Sequence, residues 1–367
     1  MERVYNFSSA PAMLPTEVIE RAASDFANYL GTGTSLAEIS RKSPEYIEIV
    51  STAESLLREL MNVPQGYRVL FLGGSSEIQY AAVPLNMLSD HKCADYIVTG
   101  RLSKRASLEA KKYGDIAIAA SSAGASPAYS TIPETERKHF RPDADYVHVT
   151  VNNAVCGTKF HYLPDTGNIP LVADMSSFML SEPVDLSKFA LVYANAEYGI
   201  GISGLTIVIL RDDISAGMRR DVPAHLNYKN ASNLDDIDLT PASAFSIYML
   251  KNMLEWIKSA GGLEEIKRKN ERKASLIYDY LDSQTYYTAP VDKKCRSMMN
   301  VVFVTGDDSL DKKFAEEAAE LGLKNLAADN TVGGICASIY NGMPVEGVEA
   351  LVKFMKSFAQ TNIKLDT

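Results

Sequence analysis

A regular alternation of helical and strand-like segments between residues 45 and 210 is the feature that most constrains the fold of this 367-residue chain. The strand-like segments are short, apolar and rich in β-branched residues, and helix-length or loop-length segments separate them. This pattern is typical of a mostly parallel sheet covered by helices, so it predicts an α/β domain. The seven predicted strands are Arg68–Leu72, Tyr96–Thr99, Ile116–Ala120, Tyr146–Val151, Leu171–Asp174, Ala190–Ala194 and Leu205–Leu210.

Helical periodicity and glycine signals predict how the chain divides. Glu45 to about Asn62 reads as a helix, because apolar residues recur at helical spacing behind the cap and first turn at Ser43-Pro44. Asn227–Asp238 is polar and reads as a long loop. Gly261-Gly262 is a helix stop signal that separates two further predicted helices, Ala244–Ser259 and Leu263–Leu281. We expect a large domain over residues 1–258, with an N-terminal arm over 1–15, and a small α/β domain over 259–367.

Composition excludes several classes of protein. Lys plus Arg total 37 against 46 for Asp plus Glu, and the formal charge of −9 disfavours general affinity for nucleic acid or anionic membrane, although a local basic patch stays open. The four cysteines form no Cys-x-x-Cys pair and the five histidines show no metal spacing, so no metal site is predicted. No apolar run resembles a signal peptide or a membrane span, and we expect the cytoplasm.

Several stretches along nearly the whole chain resemble the phosphoserine aminotransferase family, and they occur in the family's order. They are Asn6–Pro15, Gly33–Ser35, Asn62–Pro64, Ala81–Asn86, Gly204–Val208 and Ala337–Asn341. The resemblance implies the fold of pyridoxal-phosphate (PLP) dependent transferases of the aspartate aminotransferase type, with a small C-terminal α/β domain. It also implies a homodimer whose sites are completed across the interface.

The loop Asn195–Gly201 lies between two predicted strands and departs from the family. Family members carry Gln-Lys-Asn where this chain has Glu197-Tyr198-Gly199. A lysine amine condenses with the PLP aldehyde to form the internal imine, and a phenol cannot. The resemblance therefore predicts a site without its Schiff-base lysine.

The stretch that resembles the family's phosphate-binding turn also differs. The family's Gly-Arg pair matches Ser76-Glu77, and Glu197 replaces a glutamine that contacts the phosphate. A serine still donates a hydrogen bond, so Ser76 stays a cofactor-binding candidate. A carboxylate about 4 Å from a phosphate charge costs roughly 4 kcal/mol at an effective dielectric constant of about 20. Alternatively, Glu77 turns to solvent as an ordinary acid in a first helical turn.

Four further positions match family residues that contact the cofactor. Leu102 matches the tryptophan that stacks on the pyridine ring, and Ala154 matches a threonine. Thr240 is retained from an Asn-Thr pair that the partner subunit contributes. Asp174 matches the aspartate that keeps the pyridine nitrogen protonated. The alternative for Asp174 is structural, since an aspartate at a strand end commonly accepts backbone donors from the next loop.

The substrate pocket implied by the resemblance is also altered. The family's early His-Arg pair matches Arg41-Lys42, the late arginine matches Cys336, and Ser9 lies in the N-terminal signature. Lysine attracts an anion but lacks the two-pronged fork of arginine. Arg41, Lys42 and Arg101 are candidates for a basic edge that binds a small anionic ligand. The alternative is a solvated loop.

Together these substitutions predict a pseudoenzyme with a binding, regulatory or scaffold role and no covalent cofactor. We expect Tyr198 and Leu102 to fill the space of the cofactor ring, and a homodimer or a heterodimer with an active relative. The alternatives are an active phosphoserine:2-oxoglutarate aminotransferase of serine biosynthesis that uses a displaced lysine, an enzyme with altered chemistry on a small anionic metabolite, or a structural role without a ligand. The nearest candidate lysines in sequence are Lys159 and Lys188.

Overall fold

The computed structural model describes residues 3–89, 91–217, 221–231, 233–234, 242–327 and 334–362. The α-helices are α1 Thr16–Phe26, α2 Pro44–Leu60, α3 Ser76–Met87, α4 Arg101–Ala110, α5 Asp212–Gly217, α6 Ala244–Ser259, α7 Gly262–Asp282, α8 Asp308–Glu320 and α9 Val345–Thr361. The strands are β1 Tyr5–Asn6, β2 Tyr67–Gly73, β3 Cys93–Val98, β4 Asp115–Ser121, β5 Val147–Thr150, β6 Asn152–Asn153, β7 Thr158–Lys159, β8 Leu171–Asp174, β9 Leu191–Asn195, β10 Leu205–Arg211, β11 Asn300–Phe303, β12 Leu323–Lys324 and β13 Ile335–Ser338.

The large sheet confirms the predicted α/β architecture. Its seven strands have the order β2-β10-β9-β8-β5-β3-β4, and each of the seven predicted strands overlaps one of them. The strands from β9 to β4 pair in parallel, whereas β10 pairs antiparallel with both β9 and β2. The sheet is therefore mostly parallel, and β9 is joined to β10 by a direct turn because neighbouring antiparallel strands need no crossover.

Helices cover both faces of this sheet. On one face, α2 and α6 pack over a large apolar core, and on the other face α3 and α4 cover a second one. The start of α2 follows the predicted chemistry, because the Ser43 side chain accepts a hydrogen bond from the Tyr46 N–H at 3.3 Å and Pro44 occupies the first helical position. Because helices cover both faces of the sheet, successive residues of a strand are buried on either side, and each strand reads as a nearly continuous apolar run.

The C-terminal segment forms its own layer. Strands β11 and β13 pair antiparallel, and α7, α8 and α9 share an apolar core with them that also contains Phe7 and Met13 from the N-terminal segment. The short strand β1 adds to β12 in parallel, so the N-terminal segment is attached to this layer. The domain boundary between residues 258 and 259 stays a prediction.

Two further sequence expectations concern the chain outside the sheet. The predicted loop Asn227–Asp238 lies partly outside the described residues. Among the helices that the structure describes, none has both the length and the apolar character needed to cross a membrane.

Candidate active site

The loop between β9 and β10 forms one wall of the candidate site. Because these strands pair antiparallel, residues 196–204 turn back at the end of the sheet. The N-terminal segment closes over this loop, since the Ala12 N–H donates to the Glu197 carbonyl at 2.9 Å. Gly199 has φ of +96°, and a Cβ there would lie 2.8 Å from the Cβ of Tyr340. The loop therefore requires glycine at this position for both its backbone conformation and its close packing.

The Tyr198 side chain packs into a small apolar cluster beside this loop. Its ring meets the Tyr340 ring edge to face, with centroids 6.4 Å apart and an interplanar angle of 82°. Ala12 and Met299 are buried in the same cluster. Tyr198 is partly buried and held by these contacts, and its place in the space of the cofactor ring stays a prediction. Leu102 is also only partly buried, in the first turn of α4, and is not a member of this cluster, so its place in the space of the cofactor ring stays a prediction.

Charged groups around Tyr198 keep its phenol neutral. Burial raises the pKa of Tyr198 well above its ordinary value, and the nearby charges of Asp174, Glu197 and Glu77 raise it further. Arg101 acts in the opposite direction but does not outweigh them. A neutral phenol is a weak nucleophile, and it cannot supply the amine of an imine.

Asp174 is the last residue of β8 and is buried. Its Oδ1 accepts hydrogen bonds from the backbone N–H and the hydroxyl of Ser176, at 2.9 and 2.6 Å. Burial raises the pKa of Asp174 to about 6, although hydrogen bonds from Ser176 and Tyr193 partly oppose this shift. These contacts match the structural interpretation of Asp174, and its role toward a cofactor stays a prediction.

Buried polar groups extend from Asp174 into the sheet. The Tyr193 hydroxyl lies 3.0 Å from Nε2 of His148, whose ring stacks on Tyr96 with centroids 4.7 Å apart. Burial lowers the pKa of His148 to about 3, so the ring is neutral. The Tyr193 hydroxyl can make one hydrogen bond to each neighbour: it donates to Asp174 and accepts from the Nε2–H of His148.

The turn before α3 lies next to the Tyr198 loop. The Gly74 N–H donates to the Gly204 carbonyl at 3.0 Å, and the Thr206 hydroxyl donates to the Gly74 carbonyl at 2.9 Å. Ser76 is the first residue of α3 and is buried. A helix N-terminus behind a glycine turn presents backbone N–H donors and the positive end of the helix dipole, so this turn has the geometry of an anion site.

Two carboxylates occupy the surroundings of this turn. Glu77 forms an ion pair with Arg105 at 2.6 Å, and both side chains are about half exposed. Glu77 is thus turned outward, as the solvent-facing interpretation expects, and it is also paired. Glu197 accepts hydrogen bonds from the Asn195 amide at 2.9 Å and from the Ser203 hydroxyl, so its carboxylate is held within the loop.

A cavity of about 240 Å³ brings together three of the predicted pocket residues, Ser9, Ala154 and Cys336. The Cys336 thiol lies 3.7 Å from the Ala154 carbonyl oxygen, and burial raises its pKa to about 12, so the sulfur is a neutral thiol. Among the described residues that line this cavity there is no lysine or arginine. The other polar residues of the lining are Ser8, Asn325 and Ser338.

The remaining predicted residues lie elsewhere. Arg41 and Lys42 precede α2, where the Arg41 charge acts on the buried Tyr46 hydroxyl, and neither lines the cavity of Cys336. Within the described residues of one chain, Arg41 and Lys42 are therefore not brought together with the predicted late-arginine position, whereas Arg101, the third candidate for the basic edge, acts on Tyr198. Thr240 lies outside the described residues.

Sequence reasoning missed the partners that hold the site. Tyr340 and Met299 come from the C-terminal layer, and His148 and Tyr193 lie inside predicted strands where they read as ordinary core. The one local signal that could have indicated Tyr193 and His148 is the presence of a polar or aromatic residue inside an apolar strand.

Comparison with known proteins matches nearly the entire chain. The model of the family described as aminotransferase class-V matches residues 4–351. A phosphoserine aminotransferase of Bacillus cereus (strain ATCC 10987 / NRS 248) is 45% identical over 362 residues, which is 99% of this chain and 100% of that protein.

Solved structures agree with this match. The phosphoserine aminotransferase from Bacillus circulans subsp. alkalophilus has a TM-score of 0.93 at 40% identity, over 98% of this chain and 99% of that one. A second phosphoserine aminotransferase, solved to follow radiation damage of its Schiff base, has a TM-score of 0.93 at 37% identity over 99% and 100% of the two chains. The chain therefore belongs to the phosphoserine aminotransferase family of class-V, PLP-dependent aminotransferases.

Proposed function

We propose that this family member binds a small molecule or a protein partner at the Tyr198 pocket and does not transaminate through a lysine. The observation that supports this proposal is the packed, neutral phenol of Tyr198, at the position that the sequence resemblance matches to the Schiff-base lysine. We infer a regulatory or scaffold role within a dimer, formed with a second copy or with an active relative, because the fold is retained along the whole chain.

The residues of this pocket do not fit a covalently held PLP. When bound, PLP supplies an aldehyde for an imine and a ring that withdraws electrons. Asp174 and the N-terminus of α3 are the groups that would meet its ring nitrogen and its phosphate. The loop offers a phenol in place of an amine, and the carboxylates of Glu77 and Glu197 lie close enough to act on that phenol. The Glu197 carboxylate, held within the loop, weakens the attraction of the site for a phosphate dianion, whereas the ion pair with Arg105 offsets much of the charge of Glu77.

The visible absorption of the purified protein with added PLP tests the proposal. Exposed lysines also form imines with excess PLP, so the sample is reduced with borohydride, digested and mapped by mass spectrometry. We expect scattered adducts on exposed lysines and no saturable band. A band that saturates at one PLP per chain and maps to one lysine would overturn the proposal.

A second candidate function is active phosphoserine aminotransferase. The comparisons support this function more directly than they support a loss of activity. A relative that matches along its full length is named phosphoserine aminotransferase, and nothing in the comparisons indicates that this chain has lost that activity. This function requires an amine other than one in the β9–β10 loop.

The described structure places the candidate lysines as follows. Lys159 pairs with Glu182 at 2.6 Å, and Lys188 is exposed in the turn before β9. A third lysine, Lys273, contacts a residue of the Tyr198 cluster, since its Nζ donates to the carbonyl of Tyr340 at 2.6 Å. The carbonyls of Ile339 and Met343 accept its other two donors, so this buried amine is already fully bonded.

Turnover of phosphoserine with 2-oxoglutarate distinguishes the two functions. The protein is prepared from a host that lacks its own phosphoserine aminotransferase, which removes contaminating activity. Turnover that is abolished by substituting one candidate lysine, and unaffected by substituting the exposed Lys138 (Lys138→Gln) as a control, would establish the second function. If turnover is absent, thermal shifts with phosphorylated and dicarboxylate metabolites test for an anionic ligand near Arg41 and Lys42.

A further inference from the structure

A second cavity lies away from the Tyr198 pocket and contains a buried ion pair. It has a volume of about 260 Å³ and shares no lining residue with the cavity of Cys336 or with the cluster around Tyr198. Most of its lining residues are aromatic or aliphatic, and its charged lining residues are Lys159, Glu182 and Asp185. The aromatic lining residues are Phe160, His161, Tyr162, Phe178 and Phe189.

The ion pair is unusually well enclosed. Lys159 Nζ lies 2.6 Å from Glu182 Oε2, and the two side chains are only 6% and 17% exposed. The ammonium also lies 4.9 Å from the centroid of the Phe178 ring. Removing two charges from water is costly, and an apolar pair of similar size would commonly be as stable, so this pair invites a functional explanation. Two charges on α7 also act on the pKa of Lys159: Lys267 lowers it and Glu271 raises it.

The pair leaves bonding capacity toward the cavity. An ammonium has three donors, and within the described residues Lys159 uses one of them, for Glu182. Glu182 accepts this bond through Oε2, so the acceptor sites of its Oε1 are left for another donor. Buried polar groups are nearly always satisfied by protein, water or ligand. The cavity is the side from which a ligand can supply these partners.

The charges and the walls define the chemistry of the ligand. A carboxylate complements the donors of Lys159, and an ammonium complements Glu182. A net anion would be repelled by Glu182 and by Asp185, a further carboxylate of the lining, and a net cation by Lys159, whereas a zwitterion complements both members of the ion pair. The aromatic wall favours an apolar side chain. We propose that this cavity binds a free α-amino acid with an apolar side chain, at a site separate from the Tyr198 pocket.

Titration calorimetry of the full chain with L-phenylalanine tests this site. We expect saturable binding at one site per chain. Binding should be at least about tenfold weaker for 3-phenylpropionate, which lacks the amine, and for 2-phenylethylamine, which lacks the carboxylate, because each loses a charge-assisted hydrogen bond. L-Serine, which lacks the apolar side chain, should also bind more weakly. Equal binding of all four compounds, or no binding of L-phenylalanine, would overturn the proposal.

Matched variants locate the binding. The double variant Lys159→Gln/Glu182→Gln removes both charges together, so that neither is left buried alone, and should weaken binding at least about tenfold. The control is Lys138→Gln/Glu136→Gln, which removes an exposed Lys–Glu pair elsewhere and should bind as the wild type does. Tyr198→Ala should also leave the affinity unchanged. Two results would contradict the assignment. One is retained affinity in the Lys159→Gln/Glu182→Gln variant, once circular dichroism shows that this variant is folded. The other is lost affinity in Tyr198→Ala.

Discussion

The rings of Tyr198 and Tyr340 pack edge to face, with their centroids 6.4 Å apart. This contact joins the β9–β10 loop to the segment that follows β13, and Lys273 fixes that segment by donating to three of its carbonyls. Tyr198 is therefore more than a substitution in a loop, because its ring is part of the packing between the large sheet and the C-terminal layer.

Removing the Tyr198 ring should destabilise the protein, whereas removing only its hydroxyl should not. Tyr198→Ala leaves a gap against Tyr340, and we expect a loss of about 1–3 kcal/mol in the free energy of unfolding, below the usual cost for a fully buried aromatic residue. The hydroxyl makes no hydrogen bond within the described residues, so Tyr198→Phe should lie within about 0.5 kcal/mol of the wild type. Urea denaturation measures both. Equal losses would mean that the hydroxyl has a partner.

Restoring a lysine alone should not restore transamination. In Tyr198→Lys, the carboxylates of Asp174, Glu77 and Glu197 would favour the charged ammonium, whereas imine formation needs the neutral amine. We expect no saturable PLP band and no phosphoserine turnover. The comparison variant adds Glu77→Gln and Glu197→Gln and should bind PLP more tightly. A one-to-one band and turnover in the single variant would show that the pocket still fits the cofactor.

The glycine turn before α3 should not tolerate a side chain. Gly74 has φ of +107°, and a Cβ there would lie 2.2 Å from Cδ1 of Ile78. The Ile78 side chain can move, but the backbone strain stays, so Gly74→Ala should cost about 1–3 kcal/mol of unfolding free energy. Gly124→Ala is the control, because Gly124 lacks a positive φ and its Cβ would meet nothing within 4 Å. If Gly74→Ala cost no more unfolding free energy than Gly124→Ala, the backbone strain expected at Gly74 would be contradicted.

Local patterns predicted the elements of this fold because local physics determines them. The seven strands are buried on both faces, so each reads as a short apolar run, and the Ser43-Pro44 cap marks the start of α2. The two-residue strands β6 and β7 were not predicted, since two residues carry no periodicity. The first helical turn at Glu77, which α3 contains, was expected from the family resemblance.

The contacts of the site depend on parts of the chain that are distant in sequence. No local pattern places Tyr340 against Tyr198 or buries Lys159 beside Glu182 at a cavity lined by aromatic residues. The resemblance placed Ser9, Arg41, Lys42 and Cys336 in one substrate pocket. In the structure Ser9 and Cys336 line one cavity, and Arg41 and Lys42 do not line it. It could not predict how Glu77 is paired, because the partner, Arg105, lies on the next helix and the pairing depends on how the two helices pack.

The buried carboxyl group of Asp174 should leave a measurable signature in the pH dependence of stability. Its pKa is about 6 in the folded protein against an ordinary value of 3.8. Between these pH values the folded protein binds more protons at this group than the unfolded chain does. The stability that Asp174 contributes is therefore fully present below pH 3.8 and is lost as the pH rises through 6.

Asp174→Asn removes this titration and keeps the Oδ1 acceptor for Ser176. The unfolding free energy of the wild type minus that of the variant should fall by up to about 1.4 kcal/mol per pH unit between pH 4 and 6. His148 contributes in the opposite direction, because its pKa is lowered to about 3 and its contribution is lost as the pH falls below 6.5. Since His148 is present in both proteins, subtraction isolates Asp174. Urea denaturation at half-unit pH steps makes the measurement, and a difference that grows with pH would mean that Asp174 is held ionised by a positive partner.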